Sequence, residues 1–169
     1  MNAPETPEPP STDGEQRAVA ALDASGLRYR IQRHGPVGSL AEAAVARRLL
    51  PDQIIKTIVV RRGAGDFLFV LVPGGRTISW PKLRTLLGVS RLSLPDASVA
   101  LEVTGYERGT ITPFGAAQAW PVIADARVPG RAVSIGAGAH GVAATLDGSR
   151  MVLVLGATVA DVTDEETPG

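Results

Sequence analysis

Cysteine is absent from all 169 residues. That excludes disulfides, thiolate metal sites and cysteine nucleophiles together. Histidine is nearly absent: His34 and His140 are the only imidazoles. Neither belongs to H-E-x-x-H and no third soft ligand is at hand, so no metal and no cofactor is expected. Aromatic residues make up only 4% of the chain, so core volume must come from Val, Leu, Ile and Ala. A dominant sign of charge is missing too, since 17 basic residues balance 17 acidic ones. No global field therefore draws in nucleic acid or an anionic membrane. A nucleic-acid ligand would need a local patch touching few phosphates. No apolar run approaches the ~18 residues a membrane span needs, and the start has no basic region followed by an apolar stretch. A soluble, cytoplasmic protein without a membrane partner is expected.

What is present suits one domain with a real core, at 44% apolar residues. Residues 1–14, MNAPETPEPPSTDG, are too polar and proline-rich to bury a face and are expected as a disordered tail. The folded domain is placed at 15–163, with a second disordered tail at 164–169 and a solvated acidic end from Asp161. Ala18, Val19, Leu22 and Ser25 recur at helical spacing from about Glu15, with Gly26 as the cap. Leu27–Arg33 alternates as a half-buried strand. Ser39 and Glu42 form a capping-box pattern for a helix that must end near Leu50, because Pro51 disfavours helix before it. Phe67–Val72 reads as a buried hairpin partner of the run before it. Short helices are expected over Pro81–Leu87 and Pro95–Val103. Brief extended pieces are expected at Thr77–Trp80 and Leu92–Leu94, with strands at Pro121–Ala124, Ala132–Ile135, Val142–Leu146 and Met151–Leu155. Strands and helices interleave without a regular βαβ rhythm. The pattern predicts an α+β fold, a single domain with a mixed, curled β-sheet flanked by helices.

The most strand-like run is Ile54–Arg62, IIKTIVVRR. Alternation puts Ile54, Lys56, Ile58 and Val60 on one face and Ile55, Thr57 and Val59 on the other. One ammonium thus projects among apolar neighbours. Either Lys56 snorkels to water near the strand's start, or its charge meets an anionic ligand in a cleft. Thr104–Gly115, TGYERGTITPFG, has little periodicity but three glycines and a stiffening Pro113. It is either a plain connection or a loop that offers backbone N–H groups to an oxyanion. Gly136–Gly141, GAGAHG, fits G-x-G-x-x-G formally, and Asp161 lies at the right distance for a ribose contact. Only 28 residues follow Gly141, too few for the rest of a doubly wound sheet. A P-loop is absent, and a Ser-His-Asp triad would lack its G-x-S-x-G elbow.

Taken in order, Lys56-Thr57 in IIKTIVV, Gly109–Pro113 reading GTITP, and Gly136–His140 reading GAGAH resemble the YbaK/prolyl-tRNA synthetase-associated editing domain family. So does the entry HGPVGSLAEAA, from His34 to Ala44. The resemblance covers about Glu15–Val162 and implies a freestanding aminoacyl-tRNA deacylase with a YbaK-like fold. It implies water attack on the ester of a mischarged tRNA, without metal or covalent nucleophile. Lys56, Gly109, Thr110 and Ile111 are then the expected catalytic positions, with Lys56 on a phosphate and the loop backbone on the acyl group. His34, Thr57, Thr104, Gly105, Tyr106, Thr112, Pro113, Gly136, Gly138 and His140 are expected to bind substrate. The implied partner is the acceptor end of aminoacyl-tRNA, with an aminoacyl-tRNA synthetase as a second candidate. Members that hydrolyse cysteinyl-tRNA carry an Asp after the third Gly-rich segment, where this chain has Val142-Ala143-Ala144, and tend to have Tyr where His34 falls. The expected substrate is thus a small amino acid on a proline-type tRNA, without cysteine being singled out. The alternative is a binding module of the same fold that holds aminoacyl-tRNA or a protein without hydrolysis.

Overall fold

The computed structural model describes residues 12–35 and 38–167. Residues 1–11 of the expected tail, Pro36-Val37 of the loop before the second helix, and the final Pro168-Gly169 lie outside the described residues. Helix α1 spans Asp13–Ser25, with the Thr12 hydroxyl accepting from the Glu15 N–H and Gly26 closing it in the left-handed region. It takes in Asp13 and Gly14, which composition had placed in the tail. The cap is Thr12, and Asp13 and Glu15 set negative charge on the helix's positive end.

Strand β1 (Tyr29–Arg33) leads through a loop to α2 (Leu40–Arg47). The Ser39 hydroxyl accepts from the Glu42 N–H as expected, but the Glu42 carboxylate takes the Gly38 N–H at 2.6 Å, so the capping box is half formed. α2 ends before Leu50 because Arg48 turns left-handed, at φ 56°, and its N–H closes onto the Ala44 and Val45 carbonyls. A 3-10 turn over Pro51–Gln53 follows, and Leu50 is extended as a residue before proline should be.

Strands β2 (Ile55–Gly63) and β3 (Asp66–Pro73) form the expected hairpin, with Lys56 opposite Val72. After Asp66, β3 is apolar because both of its faces are covered. Phe67, Phe69 and Leu71 enter the main core, and Leu68, Val70 and Val72 a second cluster with Val60, Leu83 and Ile123. The chain continues as β4 (Arg76–Ile78), α3 (Trp80–Leu87), α4 (Ala97–Thr104), β5 (Val122–Asp125), β6 (Ala132–Gly136) and β7 (Val142–Asp147). It finishes with α5 (Gly148–Val154), β8 (Thr158–Ala160) and β9 (Thr163–Glu165).

Three expectations need correction. Leu92–Leu94 makes no strand beyond an isolated bridge from Ser93 to Arg61. Met151–Leu155 is not a strand: Met151 to Val154 lie in α5, where the Asp147 carboxylate caps the helix from the Arg150 N–H. Neighbours Met151 and Val152 are both buried, on the side of that helix that packs into the main core. The acidic end is not wholly solvated either. Val162 and Thr163 are buried, β9 pairs with β4, and Lys82 on α3 holds Asp161 and Asp164 at 3.1 Å each. The residues expected as a tail from 164 thus begin inside a strand.

One sheet has the order β1-β7-β6, and a mixed sheet the order β2-β3-β5-β8, with β3, β5 and β8 parallel. The sheets meet at a seam, where Ile54 bridges Ser134 in parallel and the Gln53 side chain donates to the Ala132 carbonyl at 3.0 Å. With helices around these curled sheets, the architecture is the expected α+β one. Among the described residues no helix is long and apolar enough to cross a membrane.

Candidate functional site

The seam fixes which side chains look the same way. Residues paired across parallel strands face alike, and side chains alternate along each strand. Ile54 and Ser134 are such a pair, so Lys56 and Gly136, each two residues on, lie on that same face. Ile55, Thr57 and Val59 face the other way with Val133 and Ile135, toward the main core. Lys56 and Thr57 are therefore not brought together. Lys56 is exposed and makes no hydrogen bond or ion pair among the described residues. The Thr57 hydroxyl is buried and finds no partner.

Gly136 matters because backbone crosses directly over it. A Cβ there would lie 3.3 Å from the Ile111 carbonyl oxygen and 3.6 Å from that of Thr110. The Gly138 N–H donates to the Thr110 carbonyl at 3.1 Å, and the His140 ring lies over Gly109, 3.5 Å from where a Cβ would be. The structure thus gathers the Gly109–Pro113 loop, Gly136, Gly138 and His140 into one place. The Thr110 N–H is already bonded to the Glu107 carbonyl at 2.9 Å. The N–H groups of Gly109, Ile111 and Thr112 have no acceptor among the described residues. Glu107 lies 3.4 Å from the His140 Nε2, on an exposed pair.

Other expected substrate contacts turn out to hold this loop in shape. The buried Thr104 hydroxyl donates to the Ala100 carbonyl at 2.7 Å and accepts from the Tyr106 N–H at 3.1 Å. Gly105 caps α4 in the left-handed region. Tyr106 is buried and donates its hydroxyl to the Phe114 carbonyl at 2.6 Å. Burial raises its phenol pKa, with Arg17 opposing the shift. The Thr112 hydroxyl is buried and accepts from the Phe114 N–H at 3.3 Å.

Helix α1 clamps both loops, which no residue pattern announced. The Arg17 guanidinium donates to the Gly105 carbonyl and lies 5.0 Å from the centre of the Tyr106 ring. Gly14 meets Gly138 backbone to backbone: a Cβ on Gly14 would fall 2.2 Å from the Gly138 carbonyl oxygen. Glu15, almost fully buried, pairs with Arg33 of β1 in a bidentate contact.

His34 is tied to the far end of the Gly-rich turn, its N–H donating to the Gly141 carbonyl at 2.9 Å. Its ring is occupied as well: Nδ1 lies 2.9 Å from the Gly35 carbonyl, and the Arg47 guanidinium reaches Nε2 at 3.3 and 3.4 Å. Arg47 also donates to the Ser134 hydroxyl at 3.1 Å, on the face that bears Lys56. Burial lowers the Arg47 pKa. Arg47 and Ser134 went unrecognised in the sequence. The only signal was a helix ending Arg47-Arg48 shortly before the Lys56 strand.

The site is an open face, and a cavity lies elsewhere. That cavity, about 590 Å³, sits between α1 and β1, lined by Val19, Ala20, Asp23 and Ile31 among others. The Gly136–Gly141 segment joins antiparallel strands β6 and β7 and opens no helix, so it has no dinucleotide-binding geometry. Among the described residues no group of three His, Cys, Asp or Glu converges as a metal site would require.

The fold and site define an α+β domain whose open face carries backbone N–H groups without acceptors and the exposed Lys56. The chain matches the aminoacyl-tRNA editing domain over residues 34–152, and it belongs to that family. It is 32% identical over 94 residues to the proline–tRNA ligase of Syntrophotalea carbinolica, covering 56% of this chain and 16% of that protein. Against the proline–tRNA ligase of Thermosipho africanus it is 36% identical over 64 residues, 38% of this chain and 11% of the ligase. The chain thus spans a small part of the length of these relatives. Its fold is shared with the hypothetical protein APE2540, at a TM-score of 0.80 and 27% identity, covering 88% of this chain and 99% of that one. It is also shared with a candidate trans-editing enzyme for prolyl tRNA synthetase, at a TM-score of 0.82 and 23% identity, covering 94% and 100%.

Proposed function

We propose that this protein hydrolyses the ester between a small, wrongly attached amino acid and the terminal ribose of a proline-type tRNA. The observation that carries the reading is the set of unpartnered N–H groups of Gly109, Ile111 and Thr112 beside the face that bears Lys56. Water adds to the ester carbonyl, and charge develops on its oxygen. Preorganised backbone donors favour that charge over the neutral ester, each contributing about 3–4 kcal/mol. Collapse breaks the bond from acyl carbon to ribose oxygen, and the ribose takes up a proton. No side chain of the loop itself is a general base, so a hydroxyl of the substrate relays that proton. Lys56 pairs with a phosphate near the terminal adenosine, and His140 flanks the face over Gly109. Thr104, Tyr106 and Thr112 act one step back, by holding the loop. Kinship with parts of proline–tRNA ligases supports both the choice of tRNA and a synthetase as an occasional partner.

The test is single-turnover deacylation on a panel of correctly and incorrectly charged tRNAs, tRNA-Pro first. Alanyl, seryl or cysteinyl esters should react faster than phenylalanyl, because a bulky side chain held against the Gly109–Pro113 backbone overlaps it, whereas a missing methylene is discriminated by only about 1–3 kcal/mol. Binding without hydrolysis across the panel would instead make the domain a carrier of aminoacyl-tRNA.

A further inference from the structure

Arg47 is a cation without a counterion. It is partly buried, yet its hydrogen-bond partners are the His34 ring and the Ser134 hydroxyl, neither of them a carboxylate. Among the described residues no carboxylate forms an ion pair with it. Sitting in the last turn of α2 offsets part of the charge through the helix dipole, but only a fraction of a charge is available there. The contacts already made leave one N–H on each terminal nitrogen of the guanidinium without an acceptor. A partly buried guanidinium with a spare N–H on each terminal nitrogen suits an oxyanion.

Its place is also informative. Ser134, which fixes the guanidinium, is fully buried and shares a face with Lys56 across the Ile54 bridge. Both free cations therefore border the same strip of β2 and β6, beside the crossing of Thr110 and Ile111 over Gly136. A strand rises ~3.3 Å per residue, so Ser134 and Lys56 lie about 7 Å apart along the seam. Successive backbone phosphates of an extended RNA strand have a comparable spacing, so one strand can meet both cations.

We propose that Arg47 is a second phosphate ligand, gripping the single-stranded 3′ end of the RNA one position away from the phosphate that Lys56 holds. The proposal rests on the tRNA reading above but not on its chemistry. A purely architectural Arg47, a strut between α2 and β6, is the competing role.

The experiment measures binding of an uncharged tRNA-Pro acceptor minihelix ending in CCA, by fluorescence anisotropy across a salt series. Uncharged RNA has no ester, so hydrolysis plays no part. Arg47→Met should weaken binding about tenfold and make the plot of log Kd against log salt shallower by about 0.7, the release of one counterion from a single strand. Arg47→Lys should restore the slope. Ser134→Ala, which loosens the strut and keeps the charge, should leave the slope as in the wild type. A folded Arg47→Met protein with wild-type slope, or wild-type protein with no measurable affinity for the RNA, would overturn the assignment. A slope change in a protein that deacylates nothing would uphold Arg47 as a phosphate ligand and refute the deacylase reading.

Discussion

At the scale of single residues, the seam separates Lys56 from Thr57, two neighbours that the sequence joins in one motif. Lys56 projects free from the site face, so Lys56→Ala should lower deacylation about tenfold to a hundredfold with little change in melting temperature. Lys56→Arg keeps the charge but replaces a compact ammonium with a planar fork, and should recover only part of the rate. Folded Lys56→Ala protein with wild-type rate would return the lysine to a snorkelling role. Thr57 predicts the opposite pattern. Its hydroxyl is buried on the core side without a partner, and an unmet buried donor costs about 1–3 kcal/mol. Thr57→Val, of the same shape, should raise unfolding free energy by about 1 kcal/mol while deacylation stays within about twofold. A substantial fall in rate would place that hydroxyl on the substrate.

At the scale of elements, the loops of the site depend on a helix outside the matched family span. α1 meets the Gly-rich turn through Gly14 and Gly138, whose backbones approach closer than any Cβ permits. Ala is the better helix former by up to about 1 kcal/mol, but a Cβ on Gly14 would collide with a carbonyl that cannot swing away. Overpacking of this kind costs about 1–3 kcal/mol. Gly14→Ala should therefore destabilise, read by urea denaturation, and slow deacylation through the displaced Gly138. β9 makes a separate, acid-sensitive strap. Asp161 has its pKa lowered, first by its hydrogen bond to Lys82 and next by that to Arg127. Its stabilisation is complete above the ordinary value of 3.8 and is lost as pH falls through the lowered folded value. NMR shifts of the Val162 methyl groups should follow that loss in acid. Lys82→Ala should move the transition upward, toward the ordinary value, by removing the first cause.

At the scale of the whole molecule, two apolar clusters and three sheets position one open strip, and α1 closes the main core from the side. A chain shortened to residues 27–169 would lose Leu22, whose burial alone contributes about 1.5–3 kcal/mol, along with Arg17's hold on Gly105 and Tyr106. It should melt well below the full chain and deacylate more slowly even where it remains folded. Equal rates, with equal circular dichroism, would show that α1 is dispensable to the site.

The sequence by itself determined the α+β class, the β2–β3 hairpin and most helix ends. These follow from local rules: β-branched alternation, with Ser39 and Gly26 as caps. It also marked Lys56, Gly109–Pro113 and Gly136–His140 as the segments to watch, through their resemblance to one family. Where local signals were even, it failed. Met151–Leu155 is apolar enough for a strand or a helix, and the cap from Asp147 and packing on two adjacent side chains decided for helix. β9 forms because β4 and Lys82 wait for it, partners more than 80 residues away in the chain. Which of the two faces of β2 looks into the main core, the clamp of α1 and the pairing of Arg47 with Ser134 were decided by tertiary structure alone. Each depends on which strand lies beside which, and the Ile54–Ser134 bridge joins segments 80 residues apart that no local periodicity connects.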